Sequence, residues 1–180
     1  MIVHVALLRG INVGGKHSLP MKQLAAMFAA AGCSGVRTYI QSGNVVFAAS
    51  PALAARIPAL VTASIKGQFG FDAPITIRSA GELKVIATGN PFLRSGADPA
   101  TLHVAFLLDR PGKAAIAALD SDRSPPDEFV VRGREIYLHC PNGMGRSKLT
   151  NQYFDSTLKT TSTARNWRTV MTLLELTTAA

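Results

Sequence analysis

The residues best suited to chemistry in this chain are bases set among glycines. Arg9-Gly10-Ile11-Asn12-Val13-Gly14-Gly15-Lys16 follows a short apolar run, and Asn142-Gly143-Met144-Gly145-Arg146-Ser147-Lys148 precedes a segment with helical spacing. This composition suits an anion. A backbone without Cβ atoms comes close to a ligand with its N–H groups turned inward, lysine and arginine supply charge, and a helix N-terminus adds unpaired donors. In the first loop the expected ligand groups are Arg9, Asn12, Lys16 and the backbone of Gly14 and Gly15. In the second they are Asn142, Gly143, Gly145, Arg146, Ser147 and Lys148, with Ser147 capping a helix that runs through Leu149, Tyr153 and Phe154. Arg165 and Arg168 flank Trp167 at the start of a final helix and are expected on the same ligand. Trp167 shares a helical face with Val170, Met171 and Leu174 and reads as core. The bland alternative for the first loop is a glycine turn whose arginine meets a carboxylate or a carbonyl. For the second it is an ordinary N-cap beside solvated bases.

Gly10-x4-Gly15-Lys16 nearly spells a Walker A loop, and the apolar run Leu102–Leu108 ending in Asp109 imitates the strand that carries a metal-binding carboxylate. Three features oppose that reading. Position 17 is histidine instead of the Ser or Thr whose hydroxyl would ligate magnesium. The next helix begins near Ser18 to Pro20 instead of at the lysine, and the downstream hairpins imply a mixed antiparallel sheet. Asp109 reads as a turn residue before Arg110-Pro111-Gly112.

Groups for catalysis are scarce. Residues 1–71 contain no carboxylate, and Asp120 with Asp122, or Asp127 with Glu128, sit in turn-like settings unsuited to an acid and base pair. His4 and His103 lie within strand-like runs, and His139 ends another beside Cys140; none has the partner spacing of a zinc ligand. His17, inside the basic loop, is the best-placed general base. No metal site, cofactor or catalytic residue is assigned from the sequence.

The net charge of +8 is unevenly distributed. Residues 1–71 carry six bases and no acid, residues 72–131 six bases against eight acids, and residues 132–180 seven bases against three acids. The two basic stretches are those with the glycine loops, and a positive surface concentrates anionic partners. At 180 residues and 47% hydrophobic, the chain can bury a core without disulfides or metal. The N-terminal apolar run, closed by Arg9, is too short for a membrane span and has no basic leader. Two cysteines without redox or metal spacing fit a reducing compartment, so a cytoplasmic protein without membrane contact is expected.

The elements that must position these loops follow a repeated order. Val3–Leu8 reads as a strand, and Ser18-Leu19-Pro20 opens a helix with Met21, Leu24, Ala25, Phe28 and Ala31 on one face, stopped by Gly32. Val36–Ile40 and Asn44–Phe47 read as a hairpin around Gln41-Ser42-Gly43. Ser50-Pro51 starts a helix through Leu53, Ile57, Leu60, Val61 and Ile65 that Pro58 should kink or split. Ile75-Thr76-Ile77 makes a fourth strand before the capping box Ser79-x-x-Glu82. The order then restarts. His103-Val104-Ala105-Phe106-Leu107-Leu108 echoes His4-Val5-Ala6-Leu7-Leu8, and a second hairpin pairs Glu128–Val131 with Glu135–His139. The expected fold is α+β: two ferredoxin-like, split β-α-β units related by internal duplication, spanning residues 1–90 and 100–180, with an extra C-terminal helix and packed as one compact body.

These residues also resemble a known family. Ala6 to Lys16, Arg37-Thr38-Tyr39-Ile40-Gln41-Ser42-Gly43-Asn44-Val45-Val46-Phe47, Asn142 to Thr150, and Arg165-Asn166-Trp167 are similar to the signature blocks of the domain-of-unknown-function 1697 family. The resemblance implies a soluble, mostly bacterial protein with ferredoxin-like subdomains and no established activity. It supplies no catalytic residues. Thr161-Ser162-Thr163-Ala164 departs from the plainer threonine run of the family at that point.

The leading functional expectation is a phosphorylated small molecule or nucleotide held where the glycine loops line a cleft between the repeats. A nucleic-acid-binding module is the alternative favoured by charge. It is opposed by the missing stacking platform, because the first strand has no aromatic residue and the third only Phe47. A protein-interaction role without a ligand is the third reading, and oligomeric state is not encoded in any feature above.

Overall fold

In the computed structural model, which describes residues 1–179, the chain forms two compact units. The first contains Met1–Lys84 together with the chain from Leu173 onward, and the second Val85–Thr172. The C-terminal residues therefore group with the first unit. Among the described residues, no helix is long and apolar enough to cross a membrane.

In the first unit β1 (Ile2–Leu8), β2 (Ser34–Tyr39), β3 (Asn44–Ala49) and β4 (Ile75–Ser79) form an antiparallel sheet in the order β2-β3-β1-β4. The helices α1 (Met21–Ala30) and α2 (Pro51–Phe69) join Ala6, Leu8, Val45 and Phe47 in one apolar cluster through Leu24, Phe28, Ile57, Val61 and Ile65. α3 (Ala80–Thr88) follows β4 directly. The expected capping box closes it: Ser79 Oγ accepts from the Glu82 N–H at 3.2 Å, and Glu82 Oε2 accepts from the Ser79 N–H at 2.8 Å.

Pro58 does not split α2, which runs unbroken for 19 residues from its Ser50 cap. A proline inside a helix costs about 3 kcal/mol. Fully burying Ile57, Val61 and Ile65 on one face returns about 1.5–3 kcal/mol each, so packing outweighs the defect.

In the second unit α4 (Pro91–Arg94) leads to β5 (Leu102–Leu107), α5 (Lys113–Ala117), β6 (Glu128–Arg132), β7 (Glu135–His139), α6 (Asn151–Leu158), β8 (Ser162–Asn166) and α7 (Trp167–Thr178). The sheet is antiparallel in the order β6-β7-β5-β8. Its helix-side core joins Ala105, Leu107, Ile136 and Leu138 to Leu149, Phe154 and Leu158.

β8 is the element that pattern reading missed. Ser162-Thr163-Ala164-Arg165-Asn166 has no apolar alternation, and the strand exists because β5 supplies a hydrogen-bonding edge. Asp155 Oδ1 also anchors its start, accepting from both the backbone N–H and the hydroxyl of Ser162 at 2.7 Å. On α7 the buried face holds Trp167, Val170 and Leu173, so Leu173 takes the place expected of Leu174.

Candidate functional site

The first glycine loop has a fixed shape. Asn12, at φ +53°, turns its carboxamide onto the backbone. Oδ1 accepts from the Leu19 N–H at 2.7 Å, while Nδ2 donates to the carbonyls of Leu19 and Gln41, each at 2.9 Å. Ile11 and Leu19 are buried and anchor both ends. Between them the chain reverses at Gly14 and Gly15, at φ +57° and +72°, where Lys16 N–H donates to Val13 O at 3.0 Å. Positive φ at both central residues is the pattern of a type I′ turn, which explains the glycine pair. The tip is exposed, and a Cβ placed on either glycine would meet nothing within 4 Å.

This geometry is not that of a P-loop. α1 begins only at Met21, so the turn is separated from the helix N-terminus, and the Lys16 N–H is used within the turn. His17 is held instead of poised: Nδ1 lies 2.9 Å from Gly10 O, and the ring stacks on Phe71 with centroids 4.5 Å apart. Asn12, expected on the ligand, has its amide committed to shaping the loop. Arg9 is half-buried beside it, its N–H donating to Pro74 O at 3.0 Å, and Lys16 projects from the exposed tip.

The second loop is built differently from its expectation. Met144–Arg146 forms one 3-10 turn after Gly143, which sits at φ +86°. Ser147 does not cap α6. Its hydroxyl accepts from the Leu149 N–H two residues on, and Thr150 Oγ1 caps the helix through the Tyr153 N–H at 3.2 Å. The glycine loop is thus displaced from the helix end that was expected to face an anion. Lys148 N–H donates to Ser124 Oγ at 3.0 Å, so its backbone is also occupied. Asn142, Gly145, Arg146 and Lys148 remain exposed. Arg123, which the sequence reading passed over, joins them: Nε donates to Lys148 O at 3.1 Å, and the guanidinium lies 4.0 Å over the Tyr153 ring.

Arg165 and Arg168 part company. Arg165 lies in β8, not at the start of the helix, and is buried with Nη1 donating to Thr163 Oγ1 and Ala164 O at 2.9 Å each; burial lowers its pKa to about 10. Arg168 is exposed on α7, whose Asn166 cap accepts from the Thr169 N–H at 2.8 Å. It borders a cavity of about 500 Å³ lined by Asp98, Pro99, Ala100, Asn166 and Trp167.

Cys33 and Cys140 are buried free thiols. Burial, with the Asp127 charge behind it, pushes Cys140 up to about 11 against a hydrogen bond from Ser147. Among the described residues, no group of three His, Cys, Asp or Glu side chains could hold a metal ion.

The family described as Protein of unknown function (DUF1697) matches residues 1–137, and the chain belongs to it. The match contains the first glycine loop and ends before the second. A solved structure of a conserved bacterial protein from Streptococcus pneumoniae is similar over 98% of both chains, with a TM-score of 0.67 at 19% identity, a likeness of fold. No curated protein matches the chain.

Proposed function

We propose that this member of the family binds a phosphorylated small molecule or nucleotide at the Arg9–Lys16 loop. One observation carries the reading: three backbone hydrogen bonds from the Asn12 carboxamide hold an exposed Gly14-Gly15-Lys16 tip in one shape. A loop ordered in advance loses less entropy when it closes on a ligand. The charge around it supports an anion, since no acid precedes Asp72 in the chain and Asp72 already pairs with Lys66 at 2.7 Å. Arg146, Lys148 and Arg123 around the second loop, and Arg168 at its cavity, are further places for an anionic group to rest.

The same reading takes the two units as ferredoxin-like duplicates. Their support is a shared register: Val5 pairs with Arg78 as Val104 pairs with Arg165, and His4 with Ser79 as His103 with Asn166. Each of these arginines is buried and donates Nη1 to the carbonyl of the preceding residue at 2.9 Å.

A thermal-shift screen of the full chain against nucleotides, sugar phosphates, coenzyme A species and short RNA and DNA tests the function. A ligand at a hundred times its dissociation constant stabilises the fold by about 2.7 kcal/mol, a shift of several degrees here. Lys16→Ala is expected to weaken that response. No shift with any phosphorylated compound would sink the proposal. Stabilisation only by RNA or DNA, falling steeply with salt, would favour a nucleic-acid role instead.

A further inference from the structure

Ile40 is in an unusual state for its type. It follows β2 in the turn to β3 at φ +48°, in the left-handed region that β-branched residues avoid, and it is 51% exposed. Neither feature helps the fold, because the position gains little apolar burial in return for the strain. Asparagine or glycine would sit there more easily. Strained residues persist where the surroundings impose them, and they gather at ligand sites.

The surroundings are those of the first glycine loop. Gln41, the next residue, accepts from Asn12 Nδ2 at 2.9 Å, so the β2–β3 turn and the loop are tied at one end of the sheet. Val13, beside Asn12, is 64% exposed. Asn12 and His17 hold positive φ there as well, leaving Lys159 as the one other non-glycine residue of that kind among the described residues. The bonded pair Asn12 and Gln41 thus has an exposed apolar neighbour in sequence on each side of the bond, Val13 and Ile40, and Val13 faces Lys16 across the glycine turn.

We infer that the loop takes a nucleotide instead of a bare phosphate or a sugar phosphate. The phosphates meet Gly14, Gly15 and Lys16, and the base lies against Ile40 and Val13. This rests on the phosphate reading of the same loop. A base has a flat apolar face that gains from leaving water against aliphatic side chains, whereas the ring of a sugar phosphate is studded with hydroxyls that would lose their hydrogen bonds there. The lysine charge is complementary to the phosphates.

Calorimetric titration of the full chain with ATP, inorganic tripolyphosphate, ribose 5-phosphate and a short single-stranded DNA separates the outcomes, with Ile40→Asn as the diagnostic variant. Asparagine accepts left-handed backbone, so Ile40→Asn is expected to keep or raise the melting temperature. It should also weaken ATP about tenfold and leave tripolyphosphate unchanged. Equal affinity of the wild type for ATP and tripolyphosphate overturns the nucleotide assignment while the phosphate site stands. A lower melting temperature for Ile40→Asn overturns it too, by making Ile40 a structural residue. Binding of the DNA without ATP assigns the surface to a strand and rejects the free nucleotide. Silence with both ATP and tripolyphosphate removes the phosphate site itself.

Discussion

Asn12 and Leu19 hold each other through both backbone groups of the leucine: Oδ1 accepts the Leu19 N–H at 2.7 Å, and Nδ2 donates to the Leu19 carbonyl at 2.9 Å. One side chain thereby closes an eight-residue loop as a strand partner would. The pairing explains why asparagine stands at a position with φ +53°, which it tolerates better than most residues.

Replacing that amide separates its two roles. Asn12→Gly keeps the backbone conformation and removes three hydrogen bonds, and is expected to cost about 1–3 kcal/mol in urea denaturation. Asn12→Ala adds left-handed strain and should cost roughly 1 kcal/mol more. Amide exchange at Leu19 should accelerate in both variants, and unchanged protection would show that the loop does not depend on the latch.

Gly43 has no tolerance for a side chain. It sits at φ +76°, and a Cβ there would lie 2.7 Å from Leu8 Cβ and 2.9 Å from Ile11 Cδ1. Gly43→Ala is expected to destabilise the chain by about 2–4 kcal/mol, from strain and overpacking together. A variant within about 0.5 kcal/mol of wild type would contradict this geometry.

The cap of α6 can be assigned by mutation. Thr150→Ala should lose about 1 kcal/mol, whereas Ser147→Ala, whose hydroxyl accepts from the Leu149 N–H outside the helix, should lose less. The reverse order in equilibrium unfolding would return the cap to Ser147.

Acid should weaken the fold through His4 and His103. Burial lowers both pKa values, opposed by the Ile2 backbone and the Glu82 charge at His4 and by the Thr101 backbone at His103. Below about pH 6.5 the unfolded chain takes up protons that the folded chain does not. The stability these groups confer is present above that pH and is lost as pH falls towards the folded pKa values. Melting temperatures from pH 7.5 to 5 should decline, and His4→Gln with His103→Gln should flatten the slope.

Both thiols should be silent in the native state. Cys33 and Cys140 are buried, with burial raising both pKa values, so a thiol-reactive dye at pH 8 should label neither until urea is added. Prompt labelling of folded protein would show one of them to be accessible.

The sequence by itself determined most of the elements, because they rest on signals within a few residues of one another. Helical spacing with Pro20 and Gly32 at its ends marked α1, Ser79 and Glu82 marked the start of α3, and Gln41-Ser42-Gly43 marked the first hairpin. Family membership was legible for the same reason, since its signature blocks are contiguous. Tertiary structure alone decided where polar side chains point. Arg165 looked like a ligand group beside Trp167, but pairing with β5 made its segment a strand and buried it. Asn12 looked like a binding residue, but its partners Leu19 and Gln41 lie 7 and 29 residues away, and only the folded sheet brings Gln41 to it. Hydrophobic spacing reports which face of an element avoids water. A hydrogen bond between distant residues leaves no period in the chain, so the latch, β8 and the strained Ile40 emerged only when the backbone was in place.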